Sequence, residues 1–261
     1  MRIIISLLFI LISILTAIIF TTKPEGFPIL EYHQVTNEKL DPDFEIYNVP
    51  PDDFNAQLDF LQSEGYTTIT LQDFMRVVHG KGSLPDKPIV LTFDDGYSDN
   101  FSDMFPILKA HGMKAVVYVI TNQIGQKNYL KLNELKEMQQ YGIEIGSHTA
   151  DHLDLTTLDH QTQRRQLKES KIFLEWSGLN TIYSLSYPNG AFNSDLVEIL
   201  QEENYLTAVT GEAGLNTIKT NPFELYRVNI RKPRFGLTEF KLRLFKAEFF
   251  AKFRNFFRSN D

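Results

Sequence analysis

The chain has 261 residues, 43% of them hydrophobic and 23% charged, with a formal net charge of −7. That length and balance fit one sizeable globular domain, and the acidic excess argues against nucleic acid as a partner. There is no cysteine, so disulfides and thiolate metal sites are excluded.

The N-terminus is a different material from the rest. Ile3 to Phe20 is apolar except for Ser6, Ser13 and Thr16, with Arg2 before it and Lys23 after. The stretch is long enough to span a bilayer, exceeds the usual apolar core of a cleaved signal, and lacks a clean small-x-small site. Residues 1–22 are therefore expected to be an uncleaved signal-anchor or transmembrane helix, with the rest of the chain extracellular at the cell membrane. A cleaved export signal and a secreted product are the alternative.

A domain over residues 23–235 follows. Phe27–His33 predicts a first strand ending in Tyr32-His33, and Glu38 to Pro51 a loop. Pro51-Asp52-Asp53 opens a helix with Phe54, Leu58 and Leu61 at helical spacing, closed by Gly65. Tyr66–Thr70 predicts a strand, and Thr70-Leu71-Gln72-Asp73 resembles a capping box for a helix reaching Gly80. Ile89–Phe93 is a run of β-formers that stops at Asp94-Asp95-Gly96, as a buried parallel strand would. The alternation continues with a helix over Ser98–Ala110 despite Pro106, then a strand over Ala115–Ile120. A helix over Leu132–Tyr141 closes at Gly142, and a strand over Ile143–Gly146 runs into Ser147-His148. A long helix, Leu158–Trp176, a strand, Ile182–Tyr187, a helix, Ser194–Glu203, and a strand, Leu206–Thr210, complete the series. Repeated strand–helix units predict an α/β fold, most economically a distorted, incomplete (β/α) barrel. Residues 236–261 change character again: Phe245, Phe249, Phe253 and Phe256 share a helical face, with Lys241, Lys252 and Arg254 elsewhere. This amphipathic helix either packs on the barrel or lies on an anionic membrane surface, where basic-aromatic helices bind.

Asp94-Asp95 sits at the C-terminal end of a strand, where α/β barrels build active sites. Adjacent carboxylates repel and cost desolvation, which a cation or a chemical task would explain; an Asp-Asp-Gly turn is the bland alternative. In Ser147–His152, His148 and His152 are four apart and could face one way on a helical turn. Surface or capping histidines are the alternative. One carboxylate with two imidazoles suits Zn²⁺ or a related divalent metal in an open site, the other Asp taking a proton from water. The same donors suit Fe(II) in an oxygenase, though the second Asp favours hydrolysis. Leu185–Gly190, a strand and a tight turn, could supply an N–H to an oxyanion, or be an ordinary turn.

Thr92–Gly96, Ser147–His152 and Ser186-Tyr187-Pro188-Asn189-Gly190 together resemble, in order, the first three motifs of the polysaccharide deacetylases with a NodB-type homology domain. The resemblance runs from about Phe27 to Ile230. It implies a distorted, incomplete (β/α) barrel that removes acetyl groups from N-acetylglucosamine units. It also implies that Asp94 is the base, that Asp95, His148 and His152 hold a divalent metal, usually zinc, and that Asn189 and Tyr187 are the oxyanion and substrate-binding positions. Two departures stand out. Ser186 occupies a position where many members carry Arg, so the partner of Asp94 is unassigned. No His follows His160 to act as general acid, and His79, His111 and His160 read as exposed or helix-capping. An N-terminal Tyr-His is similar to a branch of the family with permuted motif order, which includes deacetylases of biofilm poly-β-1,6-N-acetylglucosamine; there this His, here His33, is the acid. The expected protein is a membrane-anchored, metal-dependent N-deacetylase of an extracellular N-acetylglucosamine polysaccharide. The alternatives are a peptidoglycan, chitin-oligomer or sugar-ester deacetylase, and an inactive carbohydrate-binding scaffold.

Overall fold

Seven parallel strands close into a ring in the computed structural model, which describes residues 26–258 except residue 41, with side chains to residue 251. The expected anchor over residues 1–22 lies outside the described residues. Among the described residues, no helix is long and apolar enough to cross a membrane.

The strands are β1 (Ile29–Tyr32), β2 (Thr67–Thr68), β3 (Pro88–Phe93), β4 (Val116–Val119), β5 (Glu144–Ser147), β6 (Ser184–Ser186), β7 (Thr207–Ala213) and β8 (Leu225–Asn229). Their order is β1-β8-β7-β6-β5-β4-β3-β2, and β1 also pairs with β3, in register Glu31 to Thr92 and Tyr32 to Phe93. That second pairing closes the ring and leaves β2 as an outlier on β3. The (β/α) barrel expected from the sequence is therefore present, one strand short of eight yet closed. Its distortion sits at two seams. β5 and β6 meet through the single pair Ser147–Leu185, and the β7–β8 register shifts between Val209 and Ala213.

The covering helices are α1 (Pro51–Ser63), α2 (Leu71–Val78), α3 (Phe105–Ala110), α4 (Leu132–Tyr141), α5 (His160–Trp176), α6 (Ser194–Glu202) and α7 (Leu237–Arg258). α1 buries Phe54, Leu58 and Leu61, the stripe its spacing predicts. The α2 capping box is formed, with Asp73 N–H donating to Thr70 Oγ1 and Thr70 N–H to Asp73 Oδ2, an arrangement worth about 1 kcal/mol.

Three expectations are corrected. The loop over Glu38–Pro51 contains a one-turn helix, Pro42–Glu45. The helix expected over Ser98–Ala110 is split: Asn100–Met104 is a π turn, in which Phe105 N–H reaches Asn100 O, ahead of α3. Pro106 has no N–H to give the preceding turn, and the widened turn absorbs the loss. The sequence reading also stops at Leu206–Thr210 and misses β8. Parallel strands read as near-continuous apolar runs, and the buried Arg227 interrupts this one.

Side-chain parity divides the core in two. Residues i and i+2 of a strand share a face. Ile89, Leu91 and Phe93 face the helices, while Val90 joins Ile29, Val116, Tyr118, Val209 and Leu225 inside the ring. Leu71, Phe74 and Met75 of α2 plug the bottom of that interior cluster. The top is left for polar residues.

Candidate active site

Continuing each inward-facing row by two residues lifts it from the apolar floor into a polar layer. Ile29 leads to Glu31 and His33, Val90 to Thr92 and Asp94, and Leu225 to Arg227. On β5 and β6 the outward residues are Ile145 and Leu185, so His148 and Ser186 fall on the inward parity. Strand geometry alone thus brings side chains from β1, β3, β5, β6 and β8 together at the C-terminal rim, the productive end of such barrels.

Asp94 is at the centre of this layer and almost fully buried, 2% exposed. Arg227 Nη1 donates to both of its oxygens, at 2.9 and 2.8 Å, and Ser186 Oγ donates to Oδ2 at 2.9 Å. Arg227 Nε donates to Thr210 O and lies 3.6 Å from Glu31 Oε2. Burial works to raise the Asp94 carboxyl, but the guanidinium, with His148 and His33 behind it, holds it below the ordinary carboxylate range. The partner of Asp94 that the sequence left unassigned is therefore Arg227, carried on the strand the sequence reading missed. The available signal was a lone basic residue between Leu225 and Val228 in a short β-prone run.

Asp95, His148 and His152 form a second group. Their ligand atoms lie within 4.8 Å of one another. His148 Nε2 and His152 Nε2 are 3.4 and 3.6 Å from Asp95 Oδ1, and the two rings stand edge to face. His148 Nδ1 is 2.7 Å from Ser186 O; a carbonyl only accepts, so Nδ1 carries the proton and Nε2 is left as the ligating nitrogen. Burial opposes the Asp95 charge, yet His148, His33 and His152 hold that carboxyl far below its ordinary range. Burial also opposes protonation of His148, but Asp95 and Asp94 raise its pKa; burial and His148 lower that of His152. Two imidazoles and one carboxylate converging on one point, with the His148 Nε2 lone pair turned toward Asp95, fit a divalent cation.

The two imidazoles do not meet on a helical turn, as the four-residue spacing suggested. Ser147–His152 leaves β5 as an irregular loop in which Thr149 and His152 have φ of 67° and 57°. Side chains substitute for a backbone ladder there. Thr149 N–H donates to Ser147 Oγ, His152 N–H to Thr149 Oγ1, and Asp151 N–H to Gln166 Oε1 on α5. Of six non-glycine residues with positive φ among the described residues, four are Asp95, Thr149, His152 and Asn189. Such strain concentrates where a structure must aim particular groups.

His33 stands beside Asp94: its ring nitrogen, a Glu31 oxygen and an Asp94 oxygen lie within 4.8 Å of one another. This trio also offers metal-type donors, but the Arg227 guanidinium already pairs with both of its carboxylates. His33 Nδ1 is buried without a hydrogen-bond partner among the described residues, and the ring leans on Tyr47. The backbone here is held from the π turn. Asn100 Nδ2 donates to His33 O, and Asp99 accepts from Val35 N–H and Gln34 Nε2. Other histidines are engaged elsewhere: His111 caps α3 through Ile107 O and pairs with Asp59, and His79 is the C-cap of α2.

A cavity of about 490 Å³ joins these groups, with His33, Tyr47, Asp95, His152 and Asn189 in its wall. Asn189, at φ 57°, is the tip of the turn after β6. Gly190 is required beside it, because a Cβ there would meet Gly211 N at 2.3 Å. Tyr187 lines the cavity as well, but its hydroxyl is turned away to Phe223 O and its ring stacks on Phe192. Its side chain therefore supports the wall and offers no hydroxyl to a ligand.

Comparison with known proteins agrees with this geometry. The polysaccharide deacetylase family matches residues 81–208. YxkH of Bacillus subtilis (strain 168), a polysaccharide deacetylase by name, is 34% identical over 215 residues, 82% of this chain and 75% of that protein. The poly-β-1,6-N-acetyl-D-glucosamine N-deacetylase of Staphylococcus aureus (strain MRSA252) is 25% identical over 203 residues, 72% of this chain and 70% of that one. Among solved structures, the Streptococcus pyogenes deacetylase PplD in complex with acetate superposes with a TM-score of 0.76 at 29% identity, covering 84% of this chain and 98% of that one. With 34% identity to a polysaccharide deacetylase over most of both chains, and with two carboxylates and two imidazoles gathered at the rim of its ring, this protein is a member of the polysaccharide deacetylase family.

Proposed function

We propose that the protein removes N-acetyl groups from N-acetylglucosamine units of an extracellular polysaccharide, poly-β-1,6-N-acetylglucosamine before others, from a position at the cell membrane. The observation that carries the reading is the juxtaposition of a cation-competent trio, Asp95, His148 and His152, with a separately anchored carboxylate, Asp94. A bound divalent cation, zinc by the family resemblance, would supply Lewis acidity toward water and the amide carbonyl. Asp94, kept ionised by Arg227, takes the proton of the attacking water. The Asn189 N–H is the candidate donor to the developing oxyanion. His33 gives a proton to the departing amine nitrogen, and its position beside Asp94 supports that role. The preference for the β-1,6 polymer draws on Tyr32-His33 and on the substrate named for the staphylococcal relative.

The test is amine release from defined β-1,6 and β-1,4 N-acetylglucosamine oligomers by the full-length, metal-loaded protein. Faster release from the β-1,6 series is expected, with loss of turnover on chelation and recovery on adding zinc. Faster release from the β-1,4 series would replace this substrate with peptidoglycan or chitin oligomers. No release from either would leave a carbohydrate-binding role. In the same assay His33→Ala is expected to lower turnover by about 10²-fold or more while the bound metal stays at one equivalent. Undiminished turnover would remove His33 from the chemistry.

A further inference from the structure

The terminal helix α7 has two apolar faces, and among the described residues only one is packed against the barrel. Phe240, Leu244 and Ala251 are buried, with Phe240 against Phe60 of α1. The phenylalanine stripe noted in the sequence points the other way. Phe245 is 53% exposed and stacks on Phe249; Leu242 is 60% and Phe250 56% exposed. Its members Phe253 and Phe256 have side chains outside the described residues.

The charges on α7 are sorted in the same manner. Both acidic residues are tied to the protein: Glu248 accepts from Tyr66 Oη, and Glu239 from Arg243 and the Arg234 N–H. Lys241 and Lys246 are exposed beside the apolar stripe, Lys241 reaching over the Phe60 ring and Lys246 over the Phe250 ring. Over Leu237–Arg258 the helix carries six basic residues against two acidic ones, in a chain whose net charge is −7. A basic, aromatic outer face on an otherwise acidic protein complements an anionic surface that accepts apolar side chains.

The route of the chain supplies an independent constraint. The described structure begins at Gly26, next to Phe27, whose N–H donates to Asn216 O. Gly26 shares a cleft with Lys241, Leu244 and Phe245 of α7. The apolar run ends at Phe20, so only residues 21–25 separate it from this point. The six steps from Phe20 to Gly26 reach at most about 22 Å. If the run lies in a bilayer, α7 is held at the bilayer surface.

We propose that the outer face of α7 docks on an anionic lipid bilayer, with Leu242, Phe245 and Phe250 entering the interface and Lys241 and Lys246 at the headgroups. In that pose the catalytic domain lies flat against the bilayer.

The absence of cysteine allows a direct test in the full chain. Phe245→Cys and, as a control on the opposite wall, Trp176→Cys on α5 (87% exposed) each carry one environment-sensitive fluorophore. The proteins are reconstituted in vesicles of phosphatidylcholine with phosphatidylglycerol, and turnover of a soluble oligomer verifies folding. The label at 245 is expected to shift to the blue and be quenched by lipid-borne nitroxides, while the label at 176 stays water-like. Adding Lys241→Gln or Lys246→Gln should reduce the docked-to-undocked ratio roughly fivefold per lysine. A label at 245 as water-like as that at 176 overturns the proposal. So does a label that shifts equally in detergent as protein concentration rises, which would mean that a second copy covers the face.

Discussion

Replacing Asp94 by Asn is expected to lower turnover by roughly 10²- to 10⁴-fold with the metal still bound, the range a positioned general base commands. The amide keeps the volume and can still accept one hydrogen bond from Arg227 or Ser186, so the ring should stay closed. What is lost is a carboxylate able to take a proton from water. Asp95→Asn separates the two roles. It removes the anionic member of the trio, so metal content should fall together with activity. Measuring metal stoichiometry and turnover on both variants gives a crossed pattern: metal retained with activity lost for Asp94→Asn, both lost for Asp95→Asn. An Asp94→Asn protein that turns over at the native rate would end the reading of Asp94 as base.

The second large effect is expected at Arg227, a positioning residue in this scheme. Its guanidinium is 2% exposed and faces both Asp94 and Glu31. Arg227→Gln leaves two carboxylates in the barrel without a counter-charge. Removing one partner of a buried ion pair costs about 3–5 kcal/mol, readable by denaturant unfolding. The kinetic consequence follows from the sign of the Asp94 shift. Burial raises its pKa, and Arg227 together with His148 and His33 more than offsets this, so the native carboxyl is ionised below its ordinary pKa. Without Arg227, only His148 and His33 oppose burial, and the carboxyl holds its proton to higher pH. The acid limb of kcat/KM should therefore move upward, with activity at neutral pH down by roughly 10²-fold and partly recovered in alkaline buffer. The stability term has the matching sign. A depressed Asp94 pKa contributes stability above the unfolded value of 3.8, and this is lost as pH falls through the folded pKa. Arg227→Lys keeps the charge but not the Thr210 bond, and should restore the pH profile more fully than the stability. A Gln variant that is destabilised with an unmoved acid limb would reduce Arg227 to a structural part.

The sequence carried much of this because its signals are local. The run Ile89–Phe93 ending in Asp94-Asp95-Gly96 encodes a buried strand and the carboxylates it delivers, and strand period 2 aims Asp94 inward. The α1 stripe and the α2 capping box are likewise short-range patterns, and both formed as read. Where the reading failed, a longer-range condition had intervened. The helical turn assumed for His148 and His152 gave way to a loop held by Gln166 on α5, a partner no four-residue spacing can announce. The π turn answered to Pro106, a helix–proline conflict whose outcome depends on what Asp99 and Asn100 must hold across the rim.

By itself, then, the sequence determined the barrel class and the strand that ends in Asp94-Asp95, and it named His148, His152 and His33 as candidates to stand beside them. Tertiary structure alone decided that Arg227, 133 residues downstream of Asp94, would be its counter-ion, and that Ser186 would leave room for it. The reason is that a side chain's face follows from its own strand. Its neighbour across the barrel depends on ring closure, here the β1 pairings with β3 and β8, and on registers that every intervening strand helps to set.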